Sequence, residues 1–164
     1  MKRITSVILA IALIFALAVT AMAAEIADCT VSADSVSATA GGTVTVPIRI
    51  SGNRGFTNFG IALDYDREQL ELLSIQTAEG ETPYLCGTTV AVNTQWTGTD
   101  EKTFGYVTTA LEEAATADGI LFTATFRVSG DFSGTAAVQP VVQYMRSNKR
   151  LLSVFDAIPV TTVS

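Results

Sequence analysis

The chain has 164 residues, with 10 Lys and Arg, 16 Asp and Glu, 2 Cys and no His. Without imidazole there is no Ser-His-Asp or Cys-His catalysis and no His-ligated zinc, and two thiols cannot complete a four-thiolate metal site. A net charge of −6 argues against nucleic acid as a partner, since phosphate needs a basic face, and 48% hydrophobic residues are too many for a disordered chain.

Lys2 and Arg3 precede an apolar run from Val7 to Val19, and Ala21-Met22-Ala23 follows it. This is the pattern of a secretory signal peptide cleaved after Ala23, with a core too short to span a bilayer with ease. Residues 1–23 are therefore expected to direct export, and 24–164 to form a single extracellular or cell-surface domain with no membrane span. Ile26-Ala27-Asp28-Cys29 weakly resembles a lipidation motif, but Asp28 stands where that motif needs a small residue. In an oxidising compartment Cys29 and Cys86 could form a disulfide, contributing about 4 kcal/mol in the chain-entropy model. The alternative is two buried thiols.

The first strand is predicted near Cys29–Val36, turning at Gly41-Gly42 into Thr43–Ile50, where Val44, Val46, Ile48 and Ile50 share one face. Pro47 lacks an N–H, which predicts an edge or a bulge there. In Phe59–Tyr65, the residues Phe59, Ile61, Leu63 and Tyr65 point inward, leaving Asn58, Gly60, Ala62 and Asp64 outside. Asp66 suits the cap of one helical turn, with Gln69 three residues on. Further strands are expected at Leu70–Ile75, Phe104–Leu111, Ile120–Val128, Ala136–Tyr144 and Leu151–Val163. No segment keeps a helical period, so the chain reads as one all-β antiparallel sandwich.

Four groups of residues invite a functional reading. Glu112-Glu113 is an adjacent acidic pair that could serve glycoside hydrolysis, but a solvated loop explains it as well. Asp64 and Asp66 lack the glycine and the ligand spacing of a calcium loop, and read better as strand-end charge and a helix cap. Trp96, Tyr84, Phe104 and Tyr106 could stack on sugar rings; Phe104 and Tyr106 share a parity and are assigned to the core, which leaves Trp96. The outward positions Asn58, Gly60 and Ala62, with Val107, Thr109 and Leu111 taken as outward on a second strand, are small or apolar. Such a face suits a protein partner, unless a loop covers it.

Three segments in order, Ala40–Pro47, Asn58–Leu72 and Asp118–Phe122, resemble the cohesin family. The resemblance spans about residues 29–163. It implies a nine-stranded jelly-roll β-sandwich, related in architecture to cellulose-binding modules. It also implies a non-catalytic module without a cofactor, docking the dockerin of a secreted enzyme or scaffold protein in a cellulosome. The calcium of such a pair belongs to the dockerin, and polysaccharide is met only indirectly. The docking positions implied are Asn58, Gly60 and Ala62 on one strand and Thr109, Leu111 and Glu112 on the other, with Val107 added for its apolar side chain. Many cohesins carry Asp where this chain has Gly60, so contact would lean on apolar groups. A carbohydrate-binding module using Trp96 is the alternative, and a small glycosidase using Glu112 a more remote one.

Overall fold

The computed structural model describes residues 29–87, 90–99 and 103–147, and the backbone of 150–151, 154–156 and 160–162. The export signal expected at 1–23 lies outside the described residues. The chain runs through β1 (Cys29–Ala33), β2 (Thr43–Ser51), β3 (Phe56–Tyr65), β4 (Leu70–Gln76), β5 (Ala78–Glu79), β6 (Thr82–Pro83), β7 (Val90–Thr97), β8 (Thr103–Ala115), β9 (Gly119–Val128), β10 (Thr135–Ser147), β11 (Arg150–Leu151), β12 (Val154–Asp156) and β13 (Val160–Thr162).

These strands make two facing sheets. The first has the order β12-β1-β2-β9-β4, and the second is built on β10-β3-β8-β7, with β11 and β13 pairing β10. Pairing is antiparallel except between β1 and β12. Setting aside the β5-β6 ribbon and the short β11 and β13, nine strands form the jelly-roll sandwich that the alternating pattern and the family resemblance lead one to expect.

β2 shows why these residues make this sheet. Val44, Val46, Ile48 and Ile50 are all buried, and the residues between them face out. Pro47 is not on an edge strand, because β2 lies between β1 and β9. Its carbonyl accepts from Asp34 N (2.8 Å) just past the end of β1, and the register shifts beside it between Ile48 and Arg49. The missing N–H thus falls where β1 has already ended. Asp66 closes a single turn as expected: its Oδ1 accepts from Glu68 N (2.9 Å) and its carbonyl from Leu70 N (2.9 Å).

Phe56, Phe59, Phe122 and Phe126 are among the largest fully buried side chains. Tyr65 joins the two sheets edge-on, its ring 4.9 Å from Phe126 and 5.5 Å from Phe104. Simple alternation back from Phe122 would bury Ile120 and expose Leu121, and the start of β9 departs from it. A register shift admits one extra residue, so Leu121 is fully buried while Ile120 is only partly so.

β8 carries the larger correction. The register passes from Ala62↔Tyr106 to Leu63↔Phe104, so Gly105 is an extra residue bulged out of the ladder at φ +63°. Phe104 points into the core, Tyr106 points out, and the shared parity read from the sequence does not hold. Val107 and Thr109 accordingly face inward and are buried, not outward as expected.

Cys29 and Cys86 are not bridged. Cys29 Sγ lies 3.6 Å from Met145 Sδ, on β10, whereas Cys86 Sγ donates to Leu121 O (2.8 Å), on β9. The two thiols are built into different parts of the core. Burial pushes the Cys86 thiol up to about 11.

Two outcomes follow. Thiol titration without reductant should find two thiols on unfolding and neither reacting rapidly in the native protein; no thiol after unfolding would mean a bridge. The folded state holds the Cys86 proton more tightly than the unfolded chain. This contribution to stability is therefore complete below about pH 9 and lost as pH rises through 11, and Cys86→Ala should remove that slope. Gly105→Ala should lower stability by about 1–3 kcal/mol in urea unfolding, because the new methyl must hold a left-handed conformation. It would also lie 2.8 Å from Leu72 Cδ2. An unchanged midpoint would contradict the bulge.

Candidate functional site

From Phe59 to Tyr65, β3 alternates without a break: Phe59, Ile61, Leu63 and Tyr65 belong to the core. That leaves Asn58, Gly60, Ala62 and Asp64 on the outer face of the second sheet. Opposite them stand Ala110, Thr108 and Tyr106 on β8, and Arg146, Tyr144 and Val141 on β10. Ala91 and Asn93 of β7 extend the face beside Thr108 and Tyr106. The β2–β3 loop that launches β3 is clamped by Asp118, whose carboxylate accepts from Gly52 N (3.1 Å) and Asn53 N (2.9 Å).

A shallow depression of about 570 Å³ opens on this face, lined by Asn58, Ala91, Thr108, Ala110 and Tyr144 among others. Next to it, Gly60 lies beneath two aromatic rings. A Cβ at Gly60 would fall on Tyr106 Oη and come within 2.6 Å of Tyr144 Cε1. Thr108 Oγ1 donates to Phe59 O (2.8 Å), and a carbonyl can only accept. With that proton committed, the 2.9 Å contact between Thr108 Oγ1 and Tyr144 Oη has the tyrosine as donor. Tyr106 is in turn hydrogen-bonded to Tyr144; burial first, and then this neighbour, raise its pKa above the ordinary tyrosine value. The Trp96 ring packs 5.2 Å from Tyr106, and the Arg146 guanidinium lies 5.6 Å over Tyr144.

Asn58 Oδ1 is buried and has no hydrogen-bond partner among the described residues. Such an acceptor costs free energy until a donor reaches it. No carboxylate stands beside it, and Arg146 is its register partner on β10. The register runs from Asn58↔Ala110 to Phe56↔Ala115, so residues 111–114 bulge away, and Glu112 and Glu113 stand exposed at that end.

Of the residues expected to form a site, the structure brings together Asn58, Gly60 and Ala62 on the outer side of β3, but only Asn58 keeps some exposure: Gly60 is covered by Tyr106 and Tyr144, and Ala62 is fully buried. Val107 lies in the core, and Thr109, 4% exposed, donates its hydroxyl to Cys86 O (2.6 Å). Leu111 packs against the core near Gly87, so it is not an open outward contact either. Tyr106, Thr108, Ala110 and Tyr144 take the outward places instead. The signal that could have found them is Gly105, a glycine inside a strand, which often marks a bulge.

The remaining candidates fall elsewhere. Phe104 is in the core with Arg67 4.5 Å over its ring, Tyr84 packs against the core, and Trp96 is left as one half of a tilted pair with Tyr106. Among the described residues no group of three or more acidic or thiol side chains is arranged to hold a metal ion.

A family model described as "Cohesin domain" matches residues 29–149. No curated protein sequence matches the chain. Among solved structures, a complex of the cohesin CaCohA2, a protein of Clostridium acetobutylicum, with a variant of CaDoc0917 superposes with a TM-score of 0.68 at 17% identity, covering 83% of this chain and 99% of that one. A type I cohesin–dockerin complex of Clostridium thermocellum, Coh-OlpA with Doc918, gives 0.66 at 15% identity, covering 83% and 99%. A non-cellulosomal cohesin of the archaeon Archaeoglobus fulgidus gives 0.63 at 18% identity, covering 83% and 91%.

The Tyr106–Tyr144 contact predicts a measurable titration. Tyr106 should ionise later than an exposed tyrosine, and its share of stability should be complete below the ordinary tyrosine value and fall as pH rises past it. Tyr144→Phe should move that ionisation down and cost about 1 kcal/mol. An ultraviolet pH titration identical in the two proteins would contradict the contact.

Proposed function

Since the chain belongs to the cohesin family, we propose that the outer face of β10-β3-β8-β7 receives a dockerin. Cohesin domains are non-catalytic binding modules, which agrees with a chain that has no His. The observation that carries the reading is a buried acceptor without a hydrogen-bond partner among the described residues, Asn58 Oδ1, in a patch of small residues and aromatic rings. Ala91 and Ala110, exposed on the strands beside β3, let another backbone come close, and a donor from a partner would satisfy Asn58. Solved relatives include complexes with dockerins, which supports the same class of partner here.

Export through residues 1–23, and a part in assembling plant-polysaccharide-degrading enzymes, belong to this proposal. A non-cellulosomal cohesin is also among the similar structures, so family membership by itself leaves the assembly open. Calcium enters on the dockerin side. Direct polysaccharide binding is the second reading, favoured only by the neighbouring rings of Trp96 and Tyr106.

The test is calorimetric titration of the mature domain with the dockerins of its own organism. Ala110→Arg, on the exposed part of the patch, should weaken binding by about 2 kcal/mol, and chelation of calcium should abolish it. Wild-type affinity in a folded Ala110→Arg variant would place the contact elsewhere. Retardation on cellulose or xylan with no dockerin bound would favour the second reading.

A further inference from the structure

We propose that the cleft between β4 and β7 is a second binding site, and that it takes a sugar carrying a carboxylate, a unit of the uronic acid class. The site adds to docking and does not depend on it. Its lining residues and those of the depression on the outer face have none in common.

The cleft follows from two local features of the chain. β4 and β7 are edge strands, one in each sheet, and they meet along one side of the sandwich. Opposite Gly105 of β8, the register passes from Asn93↔Tyr106 to Thr97↔Phe104, so Thr94, Gln95 and Trp96 bow out of the ladder. Gln95 N donates to Asn93 Oδ1 (3.0 Å), which closes the bow. On the other side, the turn capped by Asp66 sets Arg67 over the Phe104 ring, 4.5 Å from its centre. Between them lies a space of about 230 Å³. That is smaller than the pockets that take drug-sized ligands, and it suits a single sugar ring.

Three kinds of group line the cleft. Trp96, half-buried, with the Tyr106 ring 5.2 Å away, offers an apolar face to the C–H face of a sugar ring. Thr94, Gln95 and Thr97 bring hydroxyl and amide groups, which match sugar hydroxyls. Arg67 brings the charge, and among the described residues it makes no ion pair.

The carboxylates near Arg67 are engaged elsewhere. Asp66 Oδ1 accepts from Glu68 N, and Glu71 Oε2 from Arg127 Nη1, each at 2.9 Å. Glu68 lines the adjoining depression, where Arg127 also stands. A guanidinium packed on a ring keeps its N–H donors at its rim, in the fork that matches a carboxylate. A neutral sugar would leave Arg67 unused, and a small apolar acid would leave Thr94 and Gln95 unused. A uronic acid uses all three kinds of group.

Trp96 is the only tryptophan of the chain, so its fluorescence reports the cleft directly. The experiment titrates the protein with galacturonic acid, galactose and polygalacturonate at fixed pH and ionic strength. Galacturonate should change the emission saturably, and galactose should need about tenfold more for the same effect. Arg67→Gln should bring galacturonate to the level of galactose, whereas Thr94→Ala should weaken both sugars alike. A response to polygalacturonate at least as strong as to the monomer would identify units within a polymer as the ligand; a response to the monomer alone would identify a free sugar acid. Equal affinity of the wild type for galacturonate and galactose, no response to any of the three, or galacturonate binding unchanged in Arg67→Gln would overturn the proposal. The comparison of acid with neutral sugar is made on the wild type and stands whatever the variants do. Dockerin titration of Arg67→Gln should match the wild type, so the failure of this site and the failure of docking are read separately.

Discussion

A strand buries every second side chain, and β3 keeps to that alternation while packed between β10 and β8. Because Phe59, Ile61, Leu63 and Tyr65 must fill the core, Asn58, Gly60 and Ala62 have no choice but to face outward. The neighbouring strands then supply what β3 lacks. Gly105 adds one residue to β8, which lets Phe104 join Tyr65 in the core while Tyr106 turns out to cover Gly60. Shifting β8 by a single residue would exchange its buried and exposed sets and dismantle both the core contact and the outer face.

The two outer faces of the sandwich differ in character. The first sheet shows polar side chains, with Thr45 and Thr125 sharing a hydrogen bond (2.9 Å). The pairs Arg49–Asp34 and Arg127–Glu71 lie on it at 2.6 Å and 2.9 Å. Exposed pairs of this kind contribute little to stability but keep a surface well hydrated. The second sheet has small residues and half-buried aromatics around an unsatisfied Asn58. The polar groups named on the first face find partners within it, whereas Asn58 Oδ1 on the second has none among the described residues. This difference, more than the sandwich itself, is what points to one side of the molecule.

Much of this is legible in the sequence where alternation is uninterrupted. Val44 to Ile50, Phe59 to Tyr65 and Phe122 to Val128 declare their buried faces, and the cap at Asp66 is visible from residue type and spacing. The order of the three cohesin-like segments agrees with the family match over residues 29–149. The inner face of β8 is not legible, because a bulge changes parity without changing composition; only Gly105 hints at it. The burial of Leu121 escapes the alternation rule for the same reason, one extra residue at the start of β9. The separation of Cys29 from Cys86 depends on which strand each packs against, and sequence distance carries no such information. Tyr106 and Tyr144 are far apart in the chain, and only the β8–β3–β10 order brings them over one glycine.

The most direct measurement is hydrogen–deuterium exchange on the cohesin domain, alone and with a dockerin of its own organism. Docking on the proposed face should slow exchange in β3, β7, β8 and β10 around Asn58, Ala91, Thr108 and Tyr144, and leave β1, β2, β4 and β9 unchanged. Protection concentrated on the first sheet, or none on either, would contradict the assignment of this face to partner binding.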